Sequence, residues 1–166
     1  MILNILKIPD KHLRLVAEKL TLSQLKDSQV QSFIDDLIET MAKKDGIGLA
    51  ATQVDKRWRI FCVSTIDGPL VFVNPKILKS SWRKDTREEG CLSLPHIFGL
   101  VKRPSKVQVT AYSRAGEKFT MDAFGLLARV IQHENDHLDG VLFVDKAKKI
   151  TQGAAELKKK LQSNDK

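Results

Sequence analysis

The chain has 166 residues, with 28 Lys and Arg against 20 Asp and Glu and a formal net charge of +8. That length suits one folded unit with a real core, and an ordinary hydrophobic content argues against a disordered or fibrous chain. No apolar run approaches the ~20 residues of a membrane span, and the start, interrupted by Lys7 and Pro9, lacks the apolar stretch of a secretory signal.

In chain order, residues 11–20 are expected to form a short helix after Pro9-Asp10. Val30, Phe33, Ile34, Leu37, Ile38 and Met41 recur at helical spacing and predict a longer one, which Asp45-Gly46 should break. Strand-like runs follow at 59–63, 70–73 and 106–111, with another near 118–121. Residues 124–138 read as a second long helix, with Leu127, Val130, Ile131 and Leu138 for packing and Gly140 placed to end it. The expected class is α+β: short antiparallel strands packed around a central metal-binding helix, with an N-terminal helix and a C-terminal helix. One catalytic domain is expected over 1–166, carrying a basic C-terminal helix or tail from about residue 146.

The central helix carries His133-Glu134-Asn135-Asp136-His137. Positions i and i+4 share a helical face, so both rings can grip one ion while Glu134 stands beside it as a proton carrier. Such a site needs a third ligand. The metzincin extension fails because Phe143 stands where its third histidine belongs, and a thermolysin-like arrangement leaves only Glu156, which as an i,i+4 partner of Lys160 has a simpler role. Cys91, after Gly90 and shortly before Pro95, sits in a context for irregular, accessible backbone, and a thiolate is a strong ligand for zinc or ferrous iron. Cys62, within Ile60-Phe61-Cys62-Val63, reads instead as a small core residue.

Three segments, Gly46-Ile47-Gly48-Leu49-Ala50-Ala51-Thr52-Gln53, Glu89-Gly90-Cys91-Leu92-Ser93-Leu94-Pro95 and Gln132-His133-Glu134-Asn135-Asp136-His137-Leu138-Asp139-Gly140, resemble the ordered motifs of peptide deformylases. Pro9-Asp10 and Asn74-Pro75 extend the likeness over most of the chain. The resemblance implies a hydrolase that removes the formyl group from the amino-terminal methionine of newly made proteins and releases formate. It implies one divalent ion held by Cys91, His133 and His137, with Fe2+ expected in the cell and Zn2+, Ni2+ or Co2+ able to occupy purified protein. Glu134 would take a proton from water and return it to the departing amine, while the Gln53 side-chain amide and the Leu92 backbone N–H face the formyl oxygen. Ile47, Val130 and Phe98 would border the methionine pocket, and Gly48 would let the substrate backbone lie beside it as an added strand. Glu89 or Asp136 could orient a histidine, with Arg103 a conceivable partner. Two positions depart from the common family pattern, Asn135 and Arg129.

N-formylmethionyl nascent peptides are thus the expected partners, and Lys146, Lys148, Lys149, Lys158, Lys159 and Lys160 suggest docking on the ribosome through the basic C-terminal segment. No pattern for sequence-specific DNA binding is present, and no membrane association is expected. A thiolate ligand favours a reducing compartment, the cytoplasm in the simplest case, although a mature organelle protein fits as well. The rival readings are a zinc peptidase with Glu156 as third ligand and a nonenzymatic ribosome-associated protein.

Overall fold

The computed structural model describes residues 1–162. An extended amino-terminal segment leads through a single 3-10 turn, Lys11–Arg14, to two helices, α1 (Leu22–Leu25) and α2 (Ser28–Lys43). The helix expected over 11–20 does not form. Its buried residues Leu13, Ala17 and Leu20 mimic helical spacing, but the Ala17 N–H donates to the Leu138 carbonyl and Glu18 pairs with Trp58, so the backbone is committed to tertiary partners.

The α2 helix follows its pattern closely. Asp27 accepts from the Gln29 N–H at 2.8 Å to cap its start, and Val30, Phe33, Ile34, Leu37 and Met41 are buried along one stripe. It ends where Asp45 takes a left-handed φ of 53° and the Gly46 N–H returns to the Met41 carbonyl.

Eight strands among the described residues form two antiparallel sheets. The larger has the order β1 (Gly48–Ala50), β2 (Ile60–Thr65), β3 (Gly68–Ser80), β6 (Lys106–Tyr112), β7 (Lys118–Phe124), and the smaller has β4 (Lys84–Cys91), β5 (Leu94–Pro104), β8 (Ala147–Gln152). Strands β1, β4, β5 and β8 were not anticipated from the sequence. Within the segment reaching back to residue 146, Lys148 and Lys149 lie on β8, and the carboxy-terminal helix α5 (Ala154–Gln162) starts only at Ala154. The last residues of that expected tail, 163–166, lie outside the described residues.

Helix α3 (Gly125–Leu138) lies between the sheets, followed by the short α4 (Phe143–Lys146). Ala128, Val130, Ile131 and Leu138 pack on Phe61, Phe72, Val107 and Val109 of the larger sheet. Fully burying one such aliphatic side chain contributes about 1.5–3 kcal/mol, and Phe61 stacks on Phe72 at 4.7 Å besides. The helix also buries polar side chains, Arg129 and His137 toward β4 of the smaller sheet and Glu134 against Gly48 of the larger, at 5%, 1% and 4% exposure. Buried polar atoms ordinarily find partners, yet Glu134 Oε2 and His137 Nδ1 have none, so α3 is where chemistry concentrates. Gly140 terminates it with φ 71°, and an added Cβ there would lie 2.4 Å from the Arg14 carbonyl oxygen.

Candidate active site

Strands β1 and β4 are each paired on one side only, and their free edges face each other across a cleft of about 550 Å³. Gly46, Ile47 and Gly48 supply one wall and Glu88 to Leu92 the other. Leu126, Arg129, Val130, His133 and Glu134, spaced by three and four, present one face of α3 as the floor.

The ligand atoms of Cys91, His133 and His137 lie within 4.8 Å of one another, with Cys91 Sγ 3.2 Å from His137 Nε2. Cys91 is the last residue of β4, where the register with β5 breaks between Gly90 and Cys91. The expectation of irregular backbone is met only in that break, since the residue itself ends a strand. Glu156, the alternative third ligand, belongs to α5 and pairs with Lys160 at 3.5 Å.

Glu89 is buried behind His133, its Oε2 3.0 Å from His133 Nδ1. Burial alone would raise its pKa, but hydrogen bonds from His133 and Arg103 outweigh this and hold the carboxyl well below the usual range. Burial likewise opposes charge on His133, yet hydrogen bonds with Cys91 and Glu89 lift its pKa to about 10. Burial and the neighbouring His133 charge push His137 the other way, toward the neutral ring. The two imidazoles and the thiol therefore form one coupled cluster. A divalent ion fits it: the donors converge, a carboxylate fixes the outer nitrogen of His133, and sulfur with nitrogen suits zinc or ferrous iron.

Glu134 stands beside these donors with Oε2 buried and without a hydrogen-bond partner, and burial lifts its pKa to about 7 against the nearby His133 and Arg103 charges. Gln53 is oriented by its surroundings. Its Oε1 accepts from the Ala50 N–H at 2.9 Å, so its Nε2 points to Cys91 Sγ at 3.3 Å and Ser93 Oγ at 3.1 Å. The Ser93 N–H also points at the sulfur, at 3.4 Å.

Of the other residues expected from sequence, Ile47, Gly48, Leu92, Phe98 and Val130 all line the cleft. Gly48 has a reason the sequence did not disclose: a Cβ there would sit 2.4 Å from Glu134 Oε1. Gly90 similarly makes room for the Phe98 ring, 2.6 Å from its would-be Cβ. Asn135 is turned away, donating to Asp139 Oδ2 at 3.1 Å and accepting from Arg59 at 3.5 Å. His96 borders the cleft outside the donor cluster, and His12 pairs with Asp55 at 2.7 Å.

Two residues that brace the site escaped the sequence reading. Lys7 donates its Nζ to the Leu92 carbonyl while Leu6 and Ile8 donate backbone N–H groups to the Gln53 and Ser93 carbonyls, so the amino-terminal segment straps the site from below. A lone lysine interrupting an apolar run was the available signal. Ser93 is the other, fully buried against Gln53.

Residues 2–153 match the model of the polypeptide deformylase family. The peptide deformylase of Neisseria meningitidis is 43% identical over 162 residues, covering 96% of this chain and 95% of that one. Among solved structures, a peptide deformylase from Synechococcus elongatus in complex with actinonin superposes with a TM-score of 0.85 at 37% identity, covering 97% of this chain and 85% of that chain. A Met-Ala-Ser-bound class I type b peptide deformylase from Acinetobacter baumannii gives 0.83 at 33% identity, covering 88% of this chain and 98% of that chain. With the match running through both sheets and all three segments of the cleft, the chain belongs to the polypeptide deformylase family.

Proposed function

We propose that this chain hydrolyses the N-formyl group of the amino-terminal methionine of newly synthesised proteins, releasing formate. The observation that carries this reading is the buried, unpartnered Glu134 carboxylate standing beside the convergent Cys91, His133 and His137 donors. Those three residues would hold a divalent ion, whose chemistry when bound would be to acidify a water and polarise the formyl carbonyl.

The chain's own groups do the rest. Glu134, with a pKa near 7 lifted by burial, accepts the proton of the attacking water and passes it to the leaving amine. The Gln53 Nε2, aimed by the Ala50 contact, and the Leu92 N–H donate to the formyl oxygen as it gains charge. The free edges of β1 and β4 offer backbone groups to an extended peptide, which can bridge the two sheets as an added strand. The methionine side chain enters the apolar part of the cleft beside Ile47, Phe98 and Val130.

The sulfur and nitrogen donors suit zinc and ferrous iron alike, and the family resemblance favours Fe2+ in the cell, with Zn2+, Ni2+ or Co2+ as replacements in purified protein. No helix among the described residues is long and apolar enough to cross a membrane. A nascent-chain substrate and two free cysteines support a cytoplasmic site of action. Lys148 and Lys149 on β8 and Lys158 and Lys159 on α5 are exposed, which supports docking on ribosomal phosphates. Reversing these four charges should weaken ribosome co-sedimentation at low salt; unchanged binding removes this segment as the anchor.

The reading as a whole is tested by incubating formyl-Met-Ala-Ser with purified protein. Formate release that Glu134→Ala abolishes supports it, whereas cleavage of an internal peptide bond without formate supports the peptidase alternative.

A further inference from the structure

Arg129 occupies the cavity-facing side of α3, one helical turn before His133, yet its guanidinium is turned into the protein. Its Nη1 donates to Glu89 Oε1 at 2.6 Å and to the Val101 carbonyl at 3.0 Å, and its Nη2 to the Asp85 carbonyl at 3.2 Å and to Asp85 Oδ1 at 2.8 Å. It thus ties α3, which bears both histidines, to β4, which bears Cys91, and to β5.

Glu89 shows why that tie matters. A carboxylate offers about four acceptor positions. Here Oε1 takes Arg103 Nε and Arg129 Nη1, both at 2.6 Å, while Oε2 takes Arg103 Nη2 at 2.9 Å and faces His133 Nδ1 at 3.0 Å. Every position is filled, so the group cannot rock. Arg103 alone would not hold it as firmly, because its Nη1 is drawn toward Asp136 at 2.7 Å, and Asp136 in turn holds Lys146. The result is an alternating chain, Arg87–Asp85–Arg129–Glu89–Arg103–Asp136–Lys146, whose central carboxylate touches one proposed metal ligand.

We propose that Arg129 is a positioning residue for the metal centre: by occupying the last acceptor position on Glu89 and anchoring to Asp85, it fixes His133 and the spacing between the histidine helix and the cysteine strand. This rests on the ligand set given under Proposed function. Without the guanidinium, Glu89 Oε1 loses one of its two partners, the carboxylate gains freedom about its Arg103 pair, and His133 gains it too.

The test uses Zn2+ alone as probe, in competition with a chromophoric chelator, and the absorption spectrum of the Co2+ form. Arg129→Met keeps the stem and removes the head. It should weaken Zn2+ binding about tenfold, at the lower end of what loss of an outer partner of a metal ligand costs, and shift the Co2+ bands. Arg129→Lys should recover part of the affinity. Arg114→Met, which breaks the ion pair to Asp35 on α2 away from the cleft, controls for general loss of stability and should change neither readout. If Arg129→Met does not fold, Asp85→Asn, which loosens the same anchor from the other side, should reproduce a smaller shift. Zn2+ affinity within twofold of the parent and unchanged Co2+ bands in Arg129→Met, or in Asp85→Asn if that variant has to stand in, overturn the proposal. Cys91→Ala is run beside them: if it too binds normally, the ligand set is wrong, whereas if it alone loses the ion, only the role of Arg129 falls.

Discussion

Glu89 Oε2 and His133 Nδ1 face each other at 3.0 Å inside the protein, across 44 residues of sequence. The carboxylate therefore serves two ends at once: it settles which nitrogen of His133 is left for the cleft, and it neutralises Arg103 and Arg129 where water cannot.

Glu89→Ala removes one partner from two buried guanidinium groups, a change that typically costs about 3–5 kcal/mol. Chemical denaturation should show a loss of that order, accompanied by reduced metal content at equal protein concentration. A variant as stable as the parent would mean that the pairs are not formed as described.

Gly48→Ala should be nearly silent for overall folding but severe for turnover. The added methyl would lie 2.4 Å from Glu134 Oε1, so the carboxylate must leave its place. Metal stoichiometry should stay at the parent value while kcat falls by about 10²–10⁴, the usual worth of a positioned general base. Parent-like kcat would show that Glu134 does not work from this position.

Gln53→Ala addresses the formyl oxygen. Losing one donor to a developing oxyanion costs about 2.7–4 kcal/mol, read as a drop in kcat with little change in KM. Because Gln53 also touches Cys91 Sγ and Ser93 Oγ, metal content is measured in the same sample, and a kcat drop matched by lost metal would assign the amide to the cysteine instead.

Acid should destabilise the fold through Asp145 and Asp85 among other carboxyls. Burial tends to raise both, but Arg14 and the Leu142 N–H for Asp145, and Arg129 and Arg87 for Asp85, hold them below the ordinary 3.8. A depressed folded-state pKa means that the unfolded chain binds the proton first, so the stabilisation is present above 3.8 and is lost as pH falls through the lower folded values. Urea denaturation followed from neutral pH downward should show stability declining below about 4, and Asp145→Asn should flatten part of that decline. An unchanged slope in the variant would remove Asp145 from the account.

The histidines were legible because a helix converts a spacing of four into one face, and Cys91 because a thiolate is a strong metal ligand and its neighbours Gly90 and Pro95 set it apart from the apolar run around Cys62. Helix α2 was legible through its single apolar stripe. Strand β4 was hidden: as an edge strand only its Glu89 is fully buried, so Lys84 to Cys91 shows no alternation of apolar and polar residues. The amino-terminal segment misled because Leu13, Ala17 and Leu20 share helical spacing while the backbone around them binds Leu138, Arg57 and Trp58. The charged network behind His133 joins residues 14 to 44 positions apart, a relation that no local spacing encodes.

The central claim is that one thiol and two imidazoles from two distant elements share an ion that turnover requires. It is tested by preparing the protein anaerobically and measuring metal content and formate release from formyl-Met-Ala-Ser on the same sample, for the parent, Cys91→Ala and His137→Ala. The account predicts about one ion per chain in the parent, with metal and formate lost together in both variants while the fold persists. A Cys91→Ala protein that keeps both its ion and its turnover would contradict it.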